Sequence, residues 1–333
     1  MKGVLICGEL EKKEISSISK ELISTGQKLQ NSLDQSLDFL LIGENLRERA
    51  EEAAILGVNK VLIVEGPEFS EFHPERLTEI IAAVCRQIEP LLILLGQTDL
   101  GRDVAPRLAA KLEGSICLDC VDLTYDQKTD KLIQTKPVYG GNALAQWATA
   151  SHRPHIVSMR PRSEKSVEPD PSNRAEIIPI PVEIDETQIT SHLVKTVHEE
   201  DKGIRLEQAK IIVAGGGGIG GSEGFDLVRK LAQALGAAVG ITRVPADENW
   251  MSKSLEIGQT GHIVGPDLYF AVGISGAPQH LAGCSGSKVI IAINKDPQAR
   301  IFEEADFGIV GDYRDILPAL IEKLKDLTAA QQD

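Results

Sequence analysis

Two polar turns in the last third of the chain contain residue types that could bind a cofactor. The stretch AVGISGAPQH places Ser275, Gln279 and His280 directly after an apolar run. The stretch GGGGIGG, residues 215–221, fits the pattern G-x-G-x-x-G between a predicted strand and a predicted helix. Glycines at this spacing let the backbone approach a pyrophosphate, and the N-terminus of the helix attracts its charge. The motif indicates a dinucleotide site, and the alternative interpretation is a merely tight strand–helix turn.

The residue that usually recognises a ribose is missing from this pattern. An ordinary NAD site has an Asp or Glu about 20 residues after the glycines, at the end of the next strand. Here that strand ends in Ile241-Thr242-Arg243. An arginine at this place suits a 2′-phosphate, but it suits any other anion equally well. The sequence therefore favours a dinucleotide and disfavours a plain NAD site.

Three more polar turns follow or flank predicted strands in the same region. They are 258–261 (GQTG), 294–296 (NKD) and 311–313 (GDY). In a doubly wound sheet ligands bind beyond the carboxyl ends of the strands, so we expect the turns to converge on one crevice. Their side chains are mostly neutral donors and acceptors, which suit a large polar cofactor. Hydrolysis is disfavoured, because neither a Ser-His-Asp arrangement nor a G-x-S-x-G turn is found.

His280 has two interpretations at this stage. Taken alone, a histidine in such a position is more often a core or capping residue than a ligand-binding one. The convergence of the polar turns favours the ligand-binding interpretation.

The elements that must position these turns form two α/β patterns. Short apolar runs alternate with helical spacing in the first half, which predicts a parallel sheet with helices on both faces. A second α/β pattern begins at Ala209. The predicted strands are 4–7, 39–43, 60–64, 91–95, 117–124, 131–138 and 155–160, then 209–214, 237–241, 268–272, 288–293 and 307–310; the predicted helices are 15–24, 45–56, 74–88, 101–112, 224–235 and 316–327.

A proline-rich segment separates the two patterns. Five prolines lie between residues 161 and 181, and proline removes backbone donors. We predict an interdomain connection there, with a short strand pair at 177–184 and 189–198. The expected organisation is a first domain at 1–160, the connection at 161–204 and a second domain at 205–333.

The composition limits the classes of function. The chain has 333 residues, 42% of them hydrophobic and 25% charged, which predicts a soluble globular protein of about two domains. The net charge of −14 argues against nucleic acid as a partner, because phosphate backbones are bound through Lys and Arg. No leader peptide is recognisable and no apolar run approaches the ~20 residues of a membrane span. We therefore expect no stable membrane insertion and a cytoplasmic location.

The five cysteines are Cys7, Cys85, Cys117, Cys120 and Cys284. Their odd, sparse set predicts no disulfide framework. The C-x-x-C at 117–120 could be a redox pair or half of a metal site, but no second motif completes a zinc site. It lies in an alternating, strand-like run, so core or surface thiols are the favoured interpretation, and no metal site is predicted.

Long stretches resemble a known family. GQTGHIVGPDLYFAVGISGAPQHLAG and VIIAINKDPQARIFEEADFGIVGDY, at 258–283 and 289–313, closely resemble the FAD domain of electron-transfer flavoprotein alpha subunits, the FixB family. Residues 101–112, 139–144 and 157–163 resemble segments of that family's first domain. The resemblance implies an adenine-nucleotide-hydrolase-like parallel α/β scaffold without nucleotide, followed by a Rossmann-like, doubly wound FAD-binding domain.

The same resemblance implies a set of FAD contacts. Arg243 would lie against the flavin ring beside Thr242, Thr260 would reach the ring near N5, and His280 would lie at its O2 edge. Residues 275–280 would follow the ribityl chain and pyrophosphate, with Asn294 and Asp312 toward the adenosine. The full set is Gly217, Thr242, Arg243, Ile257, Gly258, Gln259, Thr260, Ser275, Gly276, Ala277, Pro278, Gln279, His280, Asn294, Asp312 and Tyr313.

One member of this set departs from the family. Many relatives have an arginine where this chain has Gly217. Backbone amides would then do more of the phosphate binding. At the other end of the cofactor, a cation or donor beside the O2 edge would stabilise the negative charge of a reduced ring. His280 and Arg243 are the side chains able to supply it.

The resemblance also implies partners. The chain would pair with an electron-transfer flavoprotein beta subunit and act as an electron carrier rather than an enzyme with its own substrate. It would accept electrons from an acyl-CoA dehydrogenase of β-oxidation or a similar flavoenzyme. An ETF–quinone oxidoreductase or another acceptor would receive them. The alternatives are a subunit of an electron-bifurcating flavoprotein that oxidises NADH and reduces ferredoxin, an NAD(P)-dependent oxidoreductase, and a flavin-free nucleotide-binding scaffold.

Overall fold

The computed structural model describes residues 3–11, 14–33, 35–69, 72–141, 143–149, 154–196 and 204–330. Its contacts divide the chain into two compact units. One unit comprises residues 1–138 and 144–196, and the other comprises 139–143 and 197–333. Both units contain parallel sheets, so the predicted two-domain α/β fold is confirmed. No helix in the described ranges is long and apolar enough to cross a membrane.

The first unit is built on a seven-stranded sheet. Its strand order is β12-β5-β4-β1-β6-β11-β7, and each strand runs parallel to its neighbours. A smaller sheet of order β10-β9-β8 accompanies it. The elements are β1 (Val4–Cys7), β2 (Leu10–Glu11), β3 (Glu14–Ile15), α1 (Ser17–Leu33), β4 (Leu37–Gly43), α2 (Arg47–Ala53), β5 (Lys60–Glu65), α3 (Pro74–Ile88), β6 (Leu92–Gly96), α4 (Asp99–Leu112), β7 (Ser115–Cys120), β8 (Asp122–Asp126), β9 (Lys131–Val138), β10 (Ala143–Thr149), β11 (His155–Met159) and β12 (Glu176–Pro179).

The continuous apolar runs of this sheet follow from burial on both faces. Helices α1 and α2 cover one face, where Leu22 packs with Phe39. Helices α3 and α4 cover the other, where Ile80 and Leu108 pack with Leu5. A strand covered on both sides has no polar face, so it appears in the sequence as an unbroken apolar run.

Two predictions for the first unit are wrong. The strand predicted at 117–124 is interrupted, because β7 ends at Cys120 and β8 begins at Asp122. The strand pair predicted at 177–184 and 189–198 does not form. Residues 176–179 are β12, which joins β5 in parallel at the edge of the large sheet, and the described residues 189–196 are not a strand.

The proline-rich segment therefore belongs to the first unit over most of its length. Besides β12, it is held by hydrogen bonds from the backbone N–H groups of Asp170 and Ala175 to the carbonyls of Ile55 and Ala54, at 2.9 and 3.0 Å. Prolines kept this segment from looking like a packed element in the sequence, although it contributes a strand.

The second unit is built on a five-stranded parallel sheet of order β14-β13-β15-β16-β17. All five of its strands were predicted from the apolar runs. Helices α5 and α8 pack on one face and α7 on the other. The elements are β13 (Ile211–Gly215), α5 (Phe225–Leu235), β14 (Ala238–Ile241), α6 (Arg243–Asp247), β15 (Leu268–Val272), α7 (Pro278–Cys284), β16 (Ile290–Asn294), β17 (Phe307–Val310) and α8 (Tyr313–Ala330).

Candidate cofactor site

The topology of the second sheet creates one crevice. The chain passes from β13 to β14 on one side and then crosses to β15 on the other, so the winding direction reverses between β13 and β15. Because the strands are parallel, the turns that follow them all lie at the same edge. Ligands of doubly wound sheets bind at such a reversal. The predicted polar turns after β13, β15, β16 and β17, together with Thr242 and Arg243 after β14, are therefore brought to one edge of the sheet.

The glycine turn after β13 packs closely on the turn after β15. The N–H of Gly216 donates to Val272 O and the N–H of Gly218 donates to Gly273 O, both at 2.9 Å. A Cβ added at Gly216 would lie 2.4 Å from Gly273 O, which no side chain tolerates. The turn thus needs glycine for close backbone contact across the reversal point.

The rest of this turn is open. Gly217 is exposed, and a Cβ on Gly220 or Gly221 would meet nothing within 4 Å. Both Gly220 and Gly221 have positive φ, at 79° and 151°. The turn therefore presents bare backbone to solvent, the kind of cradle in which N–H groups can surround a phosphate.

Three of the predicted contacts, Asn294, Asp312 and Tyr313, make hydrogen bonds that hold the turns themselves. The buried Tyr313 hydroxyl donates to Ile219 O at 2.9 Å. The Asn294 amide donates to Ile274 O at 2.8 Å, and Asp312 accepts from the N–H of Arg314 at 2.9 Å. These residues link the glycine turn, the turn after β15 and the start of α8.

His280 is buried in the first turn of α7, with 6% of its surface exposed. Its Nδ1 lies 2.9 Å from Ile257 O and its Nε2 lies 2.9 Å from the hydroxyl of Tyr269. A carbonyl oxygen can only accept, so Nδ1 carries the proton and Nε2 accepts from the tyrosine. Both ring nitrogens are thus occupied by the protein.

The surroundings of His280 keep its ring neutral. Burial lowers the pKa of His280 from 6.5 to about 4, although the Ile257 carbonyl and the carboxylate of Glu256 favour the charged form. Sequence reasoning missed Tyr269, which fixes the tautomer. The available signal was a tyrosine in the middle of an otherwise apolar strand, because a buried hydroxyl requires a partner.

The turn at 258–261 is fastened to the start of α7. The N–H of Gln259 donates to Gln279 O at 2.8 Å. Thr260, predicted to approach the flavin, donates its hydroxyl to the buried carboxylate of Glu256 at 2.7 Å. Ile257 and Gly258 are buried beside it, and the side chain of Gln259 is exposed.

The remaining predicted contacts are mostly accessible. Arg243 is exposed and its Nε lies 3.1 Å from Asp247 Oδ2. Exposed ion pairs of this kind are worth ~1 kcal/mol or less, so Arg243 can exchange this partner for an anionic ligand. Thr242 is half-buried and Gly276 is buried, whereas Ser275, Ala277, Pro278 and Gln279 are exposed.

These features fit a large polar cofactor with a pyrophosphate. The glycine turn offers backbone donors without side chains, Arg243 offers a positive charge, and the turns around α7 offer neutral hydrogen-bonding groups. FAD has chemical groups that match these features: an anionic pyrophosphate that lies between the isoalloxazine and adenine ring systems. The fit rests on the open glycine cradle and on the absence of a carboxylate at the end of β14, where Thr242 and Arg243 stand instead.

Comparison with known proteins identifies the family. The profile described as "Electron transfer flavoprotein domain" matches residues 4–185, and the one described as "Electron transfer flavoprotein FAD-binding domain" matches residues 205–285. The chain belongs to the electron-transfer flavoprotein alpha subunit (FixB) family. The family resemblance predicted from the sequence is therefore confirmed.

Relatives match along nearly the whole chain. The electron transfer flavoprotein subunit alpha of Bacillus subtilis is 38% identical over 98% of both chains. That of Thermoanaerobacterium thermosaccharolyticum is 36% identical over 98% of both chains. The lactate dehydrogenase (NAD(+),ferredoxin) subunit LctC of Acetobacterium woodii is 34% identical over 97% of this chain and 77% of its own length.

Proposed function

We propose that this alpha subunit binds FAD in the crevice of its second unit and carries electrons between redox partners. The observation that supports the proposal is that the polar turns following the parallel strands of the second sheet lie along one edge, around its reversal point, in a chain of this family. FAD, when bound, takes up electrons from one partner and releases them to another. In this proposal the protein binds, orients and electrostatically tunes the cofactor.

Each part of the crevice has a proposed task. The backbone N–H groups of the glycine turn, including Gly217, bind the pyrophosphate, and residues 275–280 lie along the chain that joins it to the ring. Arg243 lies against the ring and contributes positive charge. Asn294 and Asp312 border the adenosine, where they also hold the turns in place.

His280 is proposed to respond to charge at the ring's O2 edge. In its neutral form Nδ1–H is donated to Ile257 O and Nε2 has no proton to offer. A negative charge near Nε2 would raise the low pKa of the imidazole, because it favours the protonated ring. A protonated His280 keeps its bond to Ile257 O and donates its Nε2–H to the Tyr269 hydroxyl oxygen, so it would act on the charged edge through its positive charge.

The proposed partners follow from the family. We expect a heterodimer with a beta subunit, reduction by an acyl-CoA dehydrogenase or a similar flavoenzyme, and oxidation by a quinone-linked or other acceptor. Electron bifurcation is the second candidate, because the relative LctC is named as a subunit of a lactate dehydrogenase (NAD(+),ferredoxin). Bifurcation would require a second flavin outside this chain.

Co-expression with the beta-type partner, followed by flavin counting and reductive titration, tests the proposal. One FAD per heterodimer without reduction by NADH supports simple electron carriage, whereas two FADs reduced by NADH support bifurcation. A flavin-free heterodimer, or one that turns over NAD(P) without FAD, contradicts the proposal.

A histidine variant tests the tuning of the cofactor. His280→Ala should lower the midpoint potential of the bound FAD, because the ring can no longer be protonated at that edge. His192→Ala, an exposed histidine of the first unit, is the matched control and should leave the potential unchanged. Equal potentials in the two variants would remove the proposed role of His280.

A further inference from the structure

Strand β7 carries an irregularity at its C-x-x-C. It is an edge strand of the first sheet and pairs in parallel with β11, where Cys117 lies opposite Val157 and Cys120 lies opposite Met159. Three residue steps on β7 therefore match two on β11, which defines a β-bulge. Asp119, inside the bulge, has a φ of 64°, a left-handed conformation that a non-glycine residue adopts only at a cost.

The bulge brings the two thiols together. In a regular strand, residues three apart point to opposite faces. Here Cys117 and Cys120 belong to the same core cluster, their sulfur atoms lie 3.4 Å apart, and the thiol of Cys120 donates toward Cys117 Sγ. A disulfide has an S–S distance of about 2.05 Å, so the sulfurs need to approach by only about 1.4 Å.

Three contacts hold the bulge in this form. The N–H of Asp119 donates to Ser158 Oγ at 3.0 Å. Arg160 donates from Nε and Nη2 to the two carboxylate oxygens of Asp119, at 2.9 and 2.7 Å. The N–H of Arg160 donates to Cys120 O at 2.7 Å. A forked arginine–carboxylate pair is specific in geometry, so the position of the sulfurs is fixed by the surrounding structure.

The environment also makes Cys117 the most reactive of the five cysteines. The hydrogen bond from Cys120 lowers the pKa of the Cys117 thiol to about 7, and the positive charge of Lys136 adds to this effect. Burial instead raises the pKa of Cys85 and Cys284 to about 12. Since the thiolate is the reacting species, we expect a small oxidant to react faster with Cys117 than with the other cysteines.

We infer that Cys117 and Cys120 form a redox-active dithiol that closes to an intrachain disulfide when the protein meets a peroxide. Cys117 is 9% exposed and Cys120 is fully buried, so the oxidant must be small and uncharged, as hydrogen peroxide is. The site lies in the first unit, whereas the proposed FAD crevice belongs to the second.

The reaction has two balanced steps. The thiolate of Cys117 attacks one oxygen of hydrogen peroxide, the O–O bond breaks, and the products are a sulfenic acid and a hydroxide that takes a proton to become water. The sulfur of Cys120 then attacks Cys117 Sγ and expels the hydroxyl group, which leaves as water with the Cys120 proton. Two electrons pass from the thiols to the peroxide, and an added thiol reverses the change.

Oxidation of the full-length chain in complex with its partner tests the inference. The native complex is treated with a small excess of hydrogen peroxide, its remaining thiols are alkylated, and the alpha chain is analysed by mass spectrometry. We expect loss of two of the chain's five alkylatable thiols, a mass lower by two hydrogens, and a cross-link between Cys117 and Cys120. A reductant should restore all five.

Serine variants assign the two roles. Cys120→Ser should stop at a sulfenic acid on Cys117, which dimedone traps, and Cys117→Ser should slow oxidation at least ~10-fold, because the remaining thiols hold little thiolate. Cys85→Ser is the matched control and should retain the cross-link at the wild-type rate. Five free thiols in the treated wild-type chain, or earlier oxidation of Cys7, Cys85 or Cys284, would refute the inference.

Discussion

His280 should become protonated only at a pH well below that at which histidines usually do. The pKa of a histidine in an unstructured peptide is near 6.5. Burial lowers the pKa of His280 to about 4, and the carbonyl of Ile257 and hydroxyl of Tyr269 use both ring nitrogens. Between pH 6.5 and pH 4 the unfolded chain therefore binds a proton at this residue that the folded chain does not.

The sign and size of the effect on stability follow by linkage. Because the folded pKa lies below the unfolded one, His280 contributes stability that is complete above pH 6.5 and is lost as the pH falls toward 4. Each pH unit between these values changes the free energy of unfolding by about 1.4 kcal/mol. Lowering the pH from 7.5 to 5.5 should reduce the free energy of unfolding by about 1.3 kcal/mol through the protonation of this residue.

The assay compares urea unfolding of the wild type and His280→Gln at pH 7.5 and pH 5.5. The glutamine does not titrate, so the difference in unfolding free energy between the two proteins should shrink by about 1.3 kcal/mol at the lower pH. Groups that titrate in both proteins cancel in this difference. A difference that stays constant between the two pH values, or an NMR titration midpoint of His280 above 6, would show that the ring is not held neutral.

Three further results are expected. Tyr313→Phe should lower the free energy of unfolding by about 1–3 kcal/mol in urea titrations, because it leaves the carbonyl of Ile219 without its buried donor; an unchanged midpoint would contradict this. Gly216→Ala should reduce the FAD content of the purified heterodimer, since its Cβ would lie 2.4 Å from Gly273 O, and full FAD content would show that the turn can open without loss. Glu9→Gln should stabilise the chain by up to about 3 kcal/mol well above pH 7 and have little effect at pH 4.5, because burial raises the pKa of Glu9 from 4.5 to about 7 and folding then disfavours the carboxylate form. Thermal unfolding at both pH values measures this difference, and equal shifts at the two values would contradict it.

The sequence was most informative about elements with a clear apolar pattern. The first four strands of the second sheet are largely buried, and the helices α3 and α5 each bury one apolar face. Strand β17 was predicted from its apolar run as well, although its four residues are exposed in the structure. Helix α3 even shows its start, because Pro74 occupies the first turn, where a missing N–H costs nothing. Short helices such as α6 and α7 were not predicted, because five to seven residues give too little periodicity.

The sequence could not show how the side chains of the candidate site are used. Polar residues after strands predict a crevice, but the pairing of His280 with Tyr269 joins residues that are eleven positions apart and depends on a helix placed by the fold. The bulge at Asp119 was invisible for a similar reason. An alternating run predicts a regular strand, and only the partner strand reveals that one residue is extra.

Strand β12 lies at one edge of the first sheet and is poorly suited to pair with a strand of another molecule. Backbone N–H groups alternate in direction along this stretch: that of Ile180, directly after β12, donates inward to Ile63 O at 2.9 Å, so the odd-numbered positions face outward. Pro179 and Pro181 occupy two of those outward positions, where a neighbouring molecule would otherwise find donors. Without this strand, the polar backbone of β5 would be the open edge, a ready template for aggregation. The prolines that make the segment look like a linker therefore disfavour edge-to-edge pairing of this sheet between copies of the protein.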